Sequence, residues 1–193
     1  MKRVVGLVFL FSLFSAPAIF AQDHVEAGIF GELFRWDAAS TNFAGVGGRL
    51  SVNVAPVIQL EAETSYDFEQ SFTEGFKNPT NGSVTLTTSN LRIVHGMFGP
   101  KLQTNKGPVR LFVTAKGGAM SFMFSRAPAT LGTFGSTVGN LRASDLNAVF
   151  YPGGGAEAFL GPIGLRFDIG DEIYFAGGAH NNLRITFGPS IRF

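Results

Sequence analysis

The 193-residue sequence predicts an all-β fold of eight antiparallel strands in up-and-down order. Three observations predict it. Apolar and polar residues alternate with period two through most of the chain after residue 22, and no long helical period appears there. Tight turns and longer links alternate strictly, as they do when all the tight turns lie at one end of a strand bundle. Opposite charges also meet across the hairpins once their turns are centred.

The elements follow in order. "MKRVVGLVFLFSLFSAPAIFAQD" opens with Lys2 and Arg3, continues through an apolar run from Val4 to Leu13, and reaches a small-residue zone ending at Ala21. That order predicts a secretory signal peptide over residues 1–21 and a single β-barrel domain over 22–193. The competing reading is a membrane anchor. A spanning helix needs about 20 apolar residues, the run from Val4 to Phe20 is marginal, and Pro17 interrupts its end.

The first strand, in "HVEAGIFGELFRW", sets Val25, Ala27, Ile29 and Leu33 against Glu26, Gly28, Phe30 and Glu32, then loses the pattern from Phe34 to Trp36. The second sets Val46, Leu50, Val52 and Val54 against Gly47, Arg49, Ser51 and Asn53. In the third, Ile58, Leu60, Ala62 and Thr64 oppose Gln59, Glu61, Glu63 and Ser65. "SNLRIVHGMFGPKL" begins with Leu91 and Ile93 against Arg92, but Phe98 falls on the other parity. A bulge or a different register accounts for either break.

The fifth strand sets Val109, Leu111, Val113 and Ala115 against Arg110, Phe112, Thr114 and Lys116. The sixth and seventh hold Ala156, Ala158 and Leu160, then Ile163, Leu165, Phe167 and Ile169, opposite Glu157, Arg166 and Asp168. "RITFGPSIRF" closes the chain with Ile185, Phe187 and Ile191 opposite Arg184, Thr186 and Arg192. The tight turns fall at 55–56, 103–108 and 161–162, and the long links at 37–43, 67–88, 121–145 and 171–181. A turn centred between Gly161 and Pro162 places Glu157 opposite Arg166. A turn centred at 55 or 56 places Arg49 opposite Glu61 or Glu63.

Composition narrows the function. Removing Lys2 and Arg3 leaves 13 of the 15 basic residues against 14 acidic ones. That near-neutral balance gives no concentrated basic surface for nucleic acid. The absence of cysteine excludes thiol catalysis and thiolate metal sites. With 25 Gly, 21 Phe and only 15% charged residues, the chain is under-charged for a soluble domain, where about a quarter is usual.

An eight-strand barrel wears this pattern in two ways. A secreted lipocalin-like carrier turns the apolar face inward around a ligand, whereas a membrane barrel turns it outward against lipid. The polar face here combines paired charges with Gly47, Ser51, Gly153, Gly155, Gly164 and Gly188, which suits an interior just wide enough for its own side chains. Strands of about ten residues, with tight turns at one end and long links at the other, match outer-membrane proportions. The terminal Phe193 suits an interfacial girdle. The sequence therefore predicts a transmembrane barrel.

"NNLRITFGPSIRF" resembles the closing strand of small bacterial outer-membrane β-barrel proteins of the OmpA/OmpX-like superfamily. "GGRLSVNVAPVIQLEAETSYDF" and "FGPKLQTNKGPVRLFVTAKGGAMSF" resemble hairpins of the same group. The resemblance covers residues 22–193 and implies an outer-membrane location and contact with outer-membrane lipid and lipopolysaccharide. It implies that the C-terminal aromatic, Phe193 with Ile191 beside it, is read by the outer-membrane assembly machinery. It does not extend to an OmpA-type periplasmic tether, because no peptidoglycan-binding domain is expected after the barrel.

Candidate residues fall into two groups. Arg49, Glu61, Glu63, Arg110, Lys116, Glu157, Arg166, Asp168 and Arg184 are expected to share one narrow lumen. They form either an ion path with tuned selectivity or, the favoured reading, an interlocked plug of salt bridges. Phe72, Phe76, Arg126, Phe134 and His180 are expected in the long links, as partner-binding residues for an unidentified loop ligand or as girdle residues.

No catalytic, metal or cofactor set emerges. "GGGAEA" (153–158) has G-x-G-x-x-A spacing but lacks the helix a nucleotide site requires. Among the resembled barrels are lipid A deacylases and palmitoyl transferases, yet "AHNN" at His180 lacks the serine of the deacylase H-x-S pattern. Asp171, Glu172 and His180 fit no recognised metal spacing. The expected function is therefore a non-enzymatic outer-membrane barrel with a structural or surface-interaction role. The alternatives are a narrow or gated porin-like channel, a lipid A-modifying enzyme and a secreted carrier.

Overall fold

A computed structural model describes residues 24–77, 84–104, 107–124 and 146–193. The signal peptide expected over 1–21 and the loop candidates Arg126 and Phe134 lie outside the described residues. The strands are β1 (Val25–Trp36), β2 (Thr41–Ala55), β3 (Ile58–Lys77), β4 (Val84–Gln103), β5 (Val109–Phe124), β6 (Asn147–Leu160), β7 (Ile163–Asp171), β8 (Ile173–Phe175), β9 (Ala179–His180) and β10 (Leu183–Arg192). Eight of them run in the order β5-β4-β3-β2-β1-β10-β7-β6, and β5 pairs with β6 to close the sheet. All pairings are antiparallel. The result is a closed eight-strand up-and-down barrel. The short β8 and β9 form a hairpin that extends β6, with Phe150 opposite Ile173 and Tyr174 opposite His180.

Side-chain exposure settles which face is inside. Ile29, Leu111 and Phe187 are 68%, 61% and 56% exposed, while Glu32, Arg110 and Thr186 on the same strands are buried. The apolar face points outward and the polar face lines the lumen. A lipocalin-like orientation is the reverse of this, so the carrier alternative does not fit.

The registers follow from the hydrophobic pattern, since a one-residue slip would turn every charge outward. Glu157 stands opposite Arg166 in the β6–β7 hairpin, and Arg49 opposite Glu63 in β2–β3. Gly161, at φ +64°, makes the tight β6–β7 turn, a conformation glycine adopts without steric cost.

Four sequence expectations change. The alternation does not break at Phe34–Trp36: β1 pairs with β2 without interruption from Val25 to Trp36, and both aromatics point inward. β4 likewise keeps one register against β5, with Leu91 and Ile93 inside and Phe98 outside. The bulges lie elsewhere, between Asp67 and Gln70 in β3 and between Asn53 and Ala55 in β2.

The link expected over 67–88 is mostly strand, because the β3–β4 ladder runs on from Gln70–Leu91 to Lys77–Val84. Phe72 and Phe76 therefore lie on β3 and not in a loop. Beyond the apolar band the outward face no longer needs to be apolar, so the alternation fades while the backbone ladder continues. The link over 171–181 similarly contains β8 and β9.

Candidate functional site

The lumen is filled from end to end. All nine charged residues expected there are buried, none more than 7% exposed. Their partners mostly lie across the barrel and not directly opposite on the next strand. Arg166 binds Glu61 through both terminal nitrogens and donates to Asp168 Oδ2 at 2.7 Å. It also lies 3.3 Å from Glu157 Oε1. Lys116 sits 2.6 Å from both Glu61 and Glu63. Arg184 donates to Glu63 Oε1 at 2.5 Å and to Glu32 Oε2 at 2.6 Å.

Lys101 joins the other end, donating to Glu157 Oε1 at 2.5 Å. One connected chain of charges thus runs from Lys101 through Glu157, Arg166, Glu61, Lys116 and Glu63 to Arg184. Arg49 stands beside it, donating to Thr186 Oγ1 at 2.9 Å and lying 3.7 Å from Asp168. Arg110 takes another kind of partner: it lies over the Phe159 ring at 5.1 Å and donates to the Gly107 carbonyl at 3.4 Å.

The glycines of the polar face explain how so many long side chains fit. Gly47 stands opposite Phe30, whose ring lies across it and carries the Arg49 guanidinium at 4.3 Å. Gly155 and Gly164 stand opposite Phe112 and Phe159 in the same way. Gly153 and Gly170 together make room for the Tyr151 ring, whose atoms lie 2.6 Å from where either added Cβ would sit. Tyr151 in turn donates to Asp168 Oδ1 at 2.5 Å. The "GGGAEA" run is a space-making device in the barrel wall, not a nucleotide cradle.

Toward the end that carries the longer links, the lumen changes from charged to apolar. Phe34, Trp36, Phe43, Leu91, Ile93, Met120 and Phe122 form a buried cluster with Tyr174, and Phe72 packs against it. Trp36 donates its indole N–H to the Tyr174 hydroxyl at 2.9 Å. Its ring meets Phe72 edge-on at 6.3 Å and Phe122 at 5.5 Å. Phe72, expected as a loop contact, is thus part of an aromatic cap inside the barrel mouth. The side chain of Phe76 lies outside the described residues. His180 stacks on Tyr174 at 4.8 Å, with Nε2 3.2 Å from the Ala176 carbonyl, so it braces the β8–β9 hairpin.

Phe193 and Ile191 sit at the opposite end. Phe193 exchanges backbone hydrogen bonds with Val25 and accepts one from the His24 N–H, and Ile191 points outward beside Ala27 and Ile163.

Sequence reasoning missed several lumen residues. Glu26, Glu32 and Lys101 carry the right parity and were legible on that ground. Asp67 extends the odd-numbered series of Glu61, Glu63 and Ser65 by one step. His95 shares its face with Leu91 and Ile93, and their apolar character hid it. Glu32, Asp67 and His95 each turn one ligating atom into a common space, with those atoms within 4.8 Å of one another.

No protein-family model matches the chain, and no curated protein matches it in sequence. Solved structures do match. Ail, the attachment invasion locus protein of Yersinia pestis, solved in complex with the heparin analogue sucrose octasulfate, is 15% identical with a TM-score of 0.51, over 88% of this chain and 97% of that one. The N-terminal β-barrel domain of Pseudomonas aeruginosa OprF is 12% identical with a TM-score of 0.52, over 90% and 99%. Neisserial surface protein A is 9% identical with a TM-score of 0.52, over 88% and 96%. The chain has the fold of the small eight-strand outer-membrane barrels.

Proposed function

We propose that this chain is a non-enzymatic outer-membrane protein whose lumen is a plug and whose role is structural and surface-interactive. The observation that carries this reading is the filled lumen: an aromatic cap over a continuous chain of buried ion pairs. An eight-strand barrel has little interior to spare, and here rings and guanidinium groups occupy it. Buried charges persist when paired, and these are paired across several strands.

The apolar outer face and the fold shared with small outer-membrane barrels support placement in that membrane, with lipid and lipopolysaccharide as the surrounding partners. The aromatic end at Phe193 and Ile191 is the segment that the assembly machinery would read. The longer links and the β8–β9 hairpin then form the exposed surface for a loop ligand. His180 is taken up by its Tyr174 stack, which speaks against a lipid-modifying centre at that position.

Planar-bilayer recording tests the plug. The refolded barrel is expected to insert without producing discrete conductance steps, whereas a steady, salt-dependent conductance would favour the narrow channel. Mass spectrometry of lipid A from cells with and without the protein is expected to give identical profiles.

A further inference from the structure

One group of lumen residues lies at the end of the ion-pair chain. Glu32 on β1, Asp67 on β3, His95 on β4 and Glu172 on the β7–β8 link meet beneath the aromatic cap, none more than 3% exposed. Glu172 Oε1 lies 2.6 Å from Nδ1 of His95. Asp67 Oδ2 and Glu32 Oε1 lie 2.9 and 3.7 Å from Nε2. The Phe34 ring meets the His95 ring in a T-shaped contact, with centroids 5.2 Å apart.

Charge is out of balance here. Among the described residues, the only Arg or Lys ion-paired with any of the three carboxylates is Arg184, to Glu32 and Glu172, and it also serves Glu63. Three carboxylates therefore share the His95 ring and one guanidinium, itself divided with Glu63, in a place closed from water. Such charge persists only when something neutralises it. Glu32 Oε1 and Asp67 Oδ1 accept no hydrogen bond although both are buried.

A neutral imidazole carries one N–H. As an imidazolium, His95 donates to Glu172 at 2.6 Å and to Asp67 at 2.9 Å. As the neutral ring with its proton on Nδ1 toward Glu172, it turns the Nε2 lone pair to Asp67 and Glu32, and three acceptors then converge on one point. A cation placed among them resolves both the repulsion and the charge.

We propose that Glu32, Asp67 and His95 form a buried site for a divalent transition-metal ion of the zinc class. Its ligands are Glu32 Oε1, Asp67 Oδ2 and His95 Nε2. Zinc bonds of about 2.0–2.2 Å at tetrahedral angles set ligand atoms about 3.4 Å apart. The two separations from His95 Nε2, 2.9 and 3.7 Å, lie on either side of that value, and the two carboxylates offer ligand atoms within 4.8 Å of each other, which a bound ion would draw together. One imidazole nitrogen with two carboxylate oxygens suits zinc or manganese better than the all-oxygen sites of calcium and magnesium. Glu172 takes the part a carboxylate commonly plays behind a metal-bound histidine, fixing its tautomer and ring orientation. The ion would staple β1, β3 and β4 at the floor of the cap, whether or not the barrel conducts.

The test uses the protein refolded from denaturant into detergent, so that no lipopolysaccharide-bound cation accompanies it. Samples refolded with zinc chloride or with chelator are desalted, checked for heat-modifiable gel mobility, and assayed for metal. The folded wild type is expected to hold about one zinc per barrel, with zinc-edge X-ray absorption reading one imidazole among oxygen donors. Asp67→Asn and His95→Gln are expected to lose the metal, Glu172→Gln to weaken binding about 10- to 100-fold, and His180→Ala to keep it. A folded wild type without zinc, or a metal environment with two or more imidazoles, overturns the site. So does zinc retained by a folded Asp67→Asn barrel. The absorption spectrum is read on the wild type, so the result stands even where a variant fails to fold.

Discussion

Arg166 and Gly47 show how single residues hold this barrel closed. Arg166 neutralises Glu61, Asp168 and Glu157 at once, inside a lumen where none of the four is more than 2% exposed. Truncating one member of a buried network leaves its partners charged and unpaired. Arg166→Ala is therefore expected to cost about 3–5 kcal/mol. The exposed Arg35–Asp37 pair, at 3.1 Å, belongs to the opposite case. Arg35→Ala is expected to cost no more than about 1 kcal/mol, as exposed pairs do. Trp36, the single tryptophan, lies buried in the cap and reports both unfolding curves by its fluorescence in urea. Gly47 acts by what it lacks. A side chain there would occupy the place of the Phe30 ring and displace the Arg49 guanidinium stacked on it. Gly47→Val is expected to destabilise by about 1–3 kcal/mol through overpacking, and equal stability of the two proteins would remove glycine from the account of the lumen.

Each strand shows the outer environment on one face and the contents of the barrel on the other. On β5, Val113 is 59% exposed while Thr114, its neighbour, is buried and donates to the Pro100 carbonyl at 3.0 Å. In a bilayer, Val113→Arg is expected to cost about 2–4 kcal/mol if the residue lies near the midplane. Equilibrium folding into lipid vesicles measures this. A cost near zero would place Val113 outside the hydrocarbon and shift the apolar band along the barrel. The inward face changes character along the strand. β1 passes from Glu26 through Phe30 and Glu32 to Phe34 and Trp36, all buried, so a single parity carries both the ionic and the aromatic part of the filling. The bulge between Asp67 and Gln70 shifts the upper part of β3 by one residue, which puts Phe72 into the cap.

The whole molecule has its hydrophobic core inside the mouth of the barrel and not along its axis. The cap and the ion-pair chain are separate barriers in series. Removing the cap with a Trp36→Ala, Phe72→Ala double variant is expected to cost at least about 3–5 kcal/mol, yet leave bilayer recordings silent because the charges beneath it still fill the lumen. Conductance appearing in that variant would make the aromatic cap the gate and the charges the lining of a path. The same arrangement places the β8–β9 hairpin as a brace over the cap. Asn182 donates to the Glu172 carbonyl at 2.9 Å, and its backbone N–H donates to Asp171 Oδ1 at 2.8 Å, so the hairpin both holds Tyr174 over the cap and directs Glu172 toward His95.

Much of this was legible in the sequence, for a definite reason. Period-two alternation fixes which residues share a face, and turn spacing fixes which strands are neighbours. The eight strands, the Glu157–Arg166 register and the nine lumen charges follow from those two local signals, whereas Arg49 was left opposite either Glu61 or Glu63 until the sheet chose Glu63. The sequence by itself thus determined the barrel, its connectivity and the composition of its two faces. Tertiary structure alone decided what the lumen residues do with one another. Arg184 and Glu63 are 121 residues apart, His95 and Glu172 are 77 apart, and no spacing rule links positions brought together only when the sheet closes. The cap was hidden for a related reason. Phe34, Trp36, Leu91 and Ile93 are as apolar as lipid-facing residues, so composition alone cannot separate a side chain turned to the membrane from one buried in the barrel mouth. Only closure of the sheet assigns the two faces there.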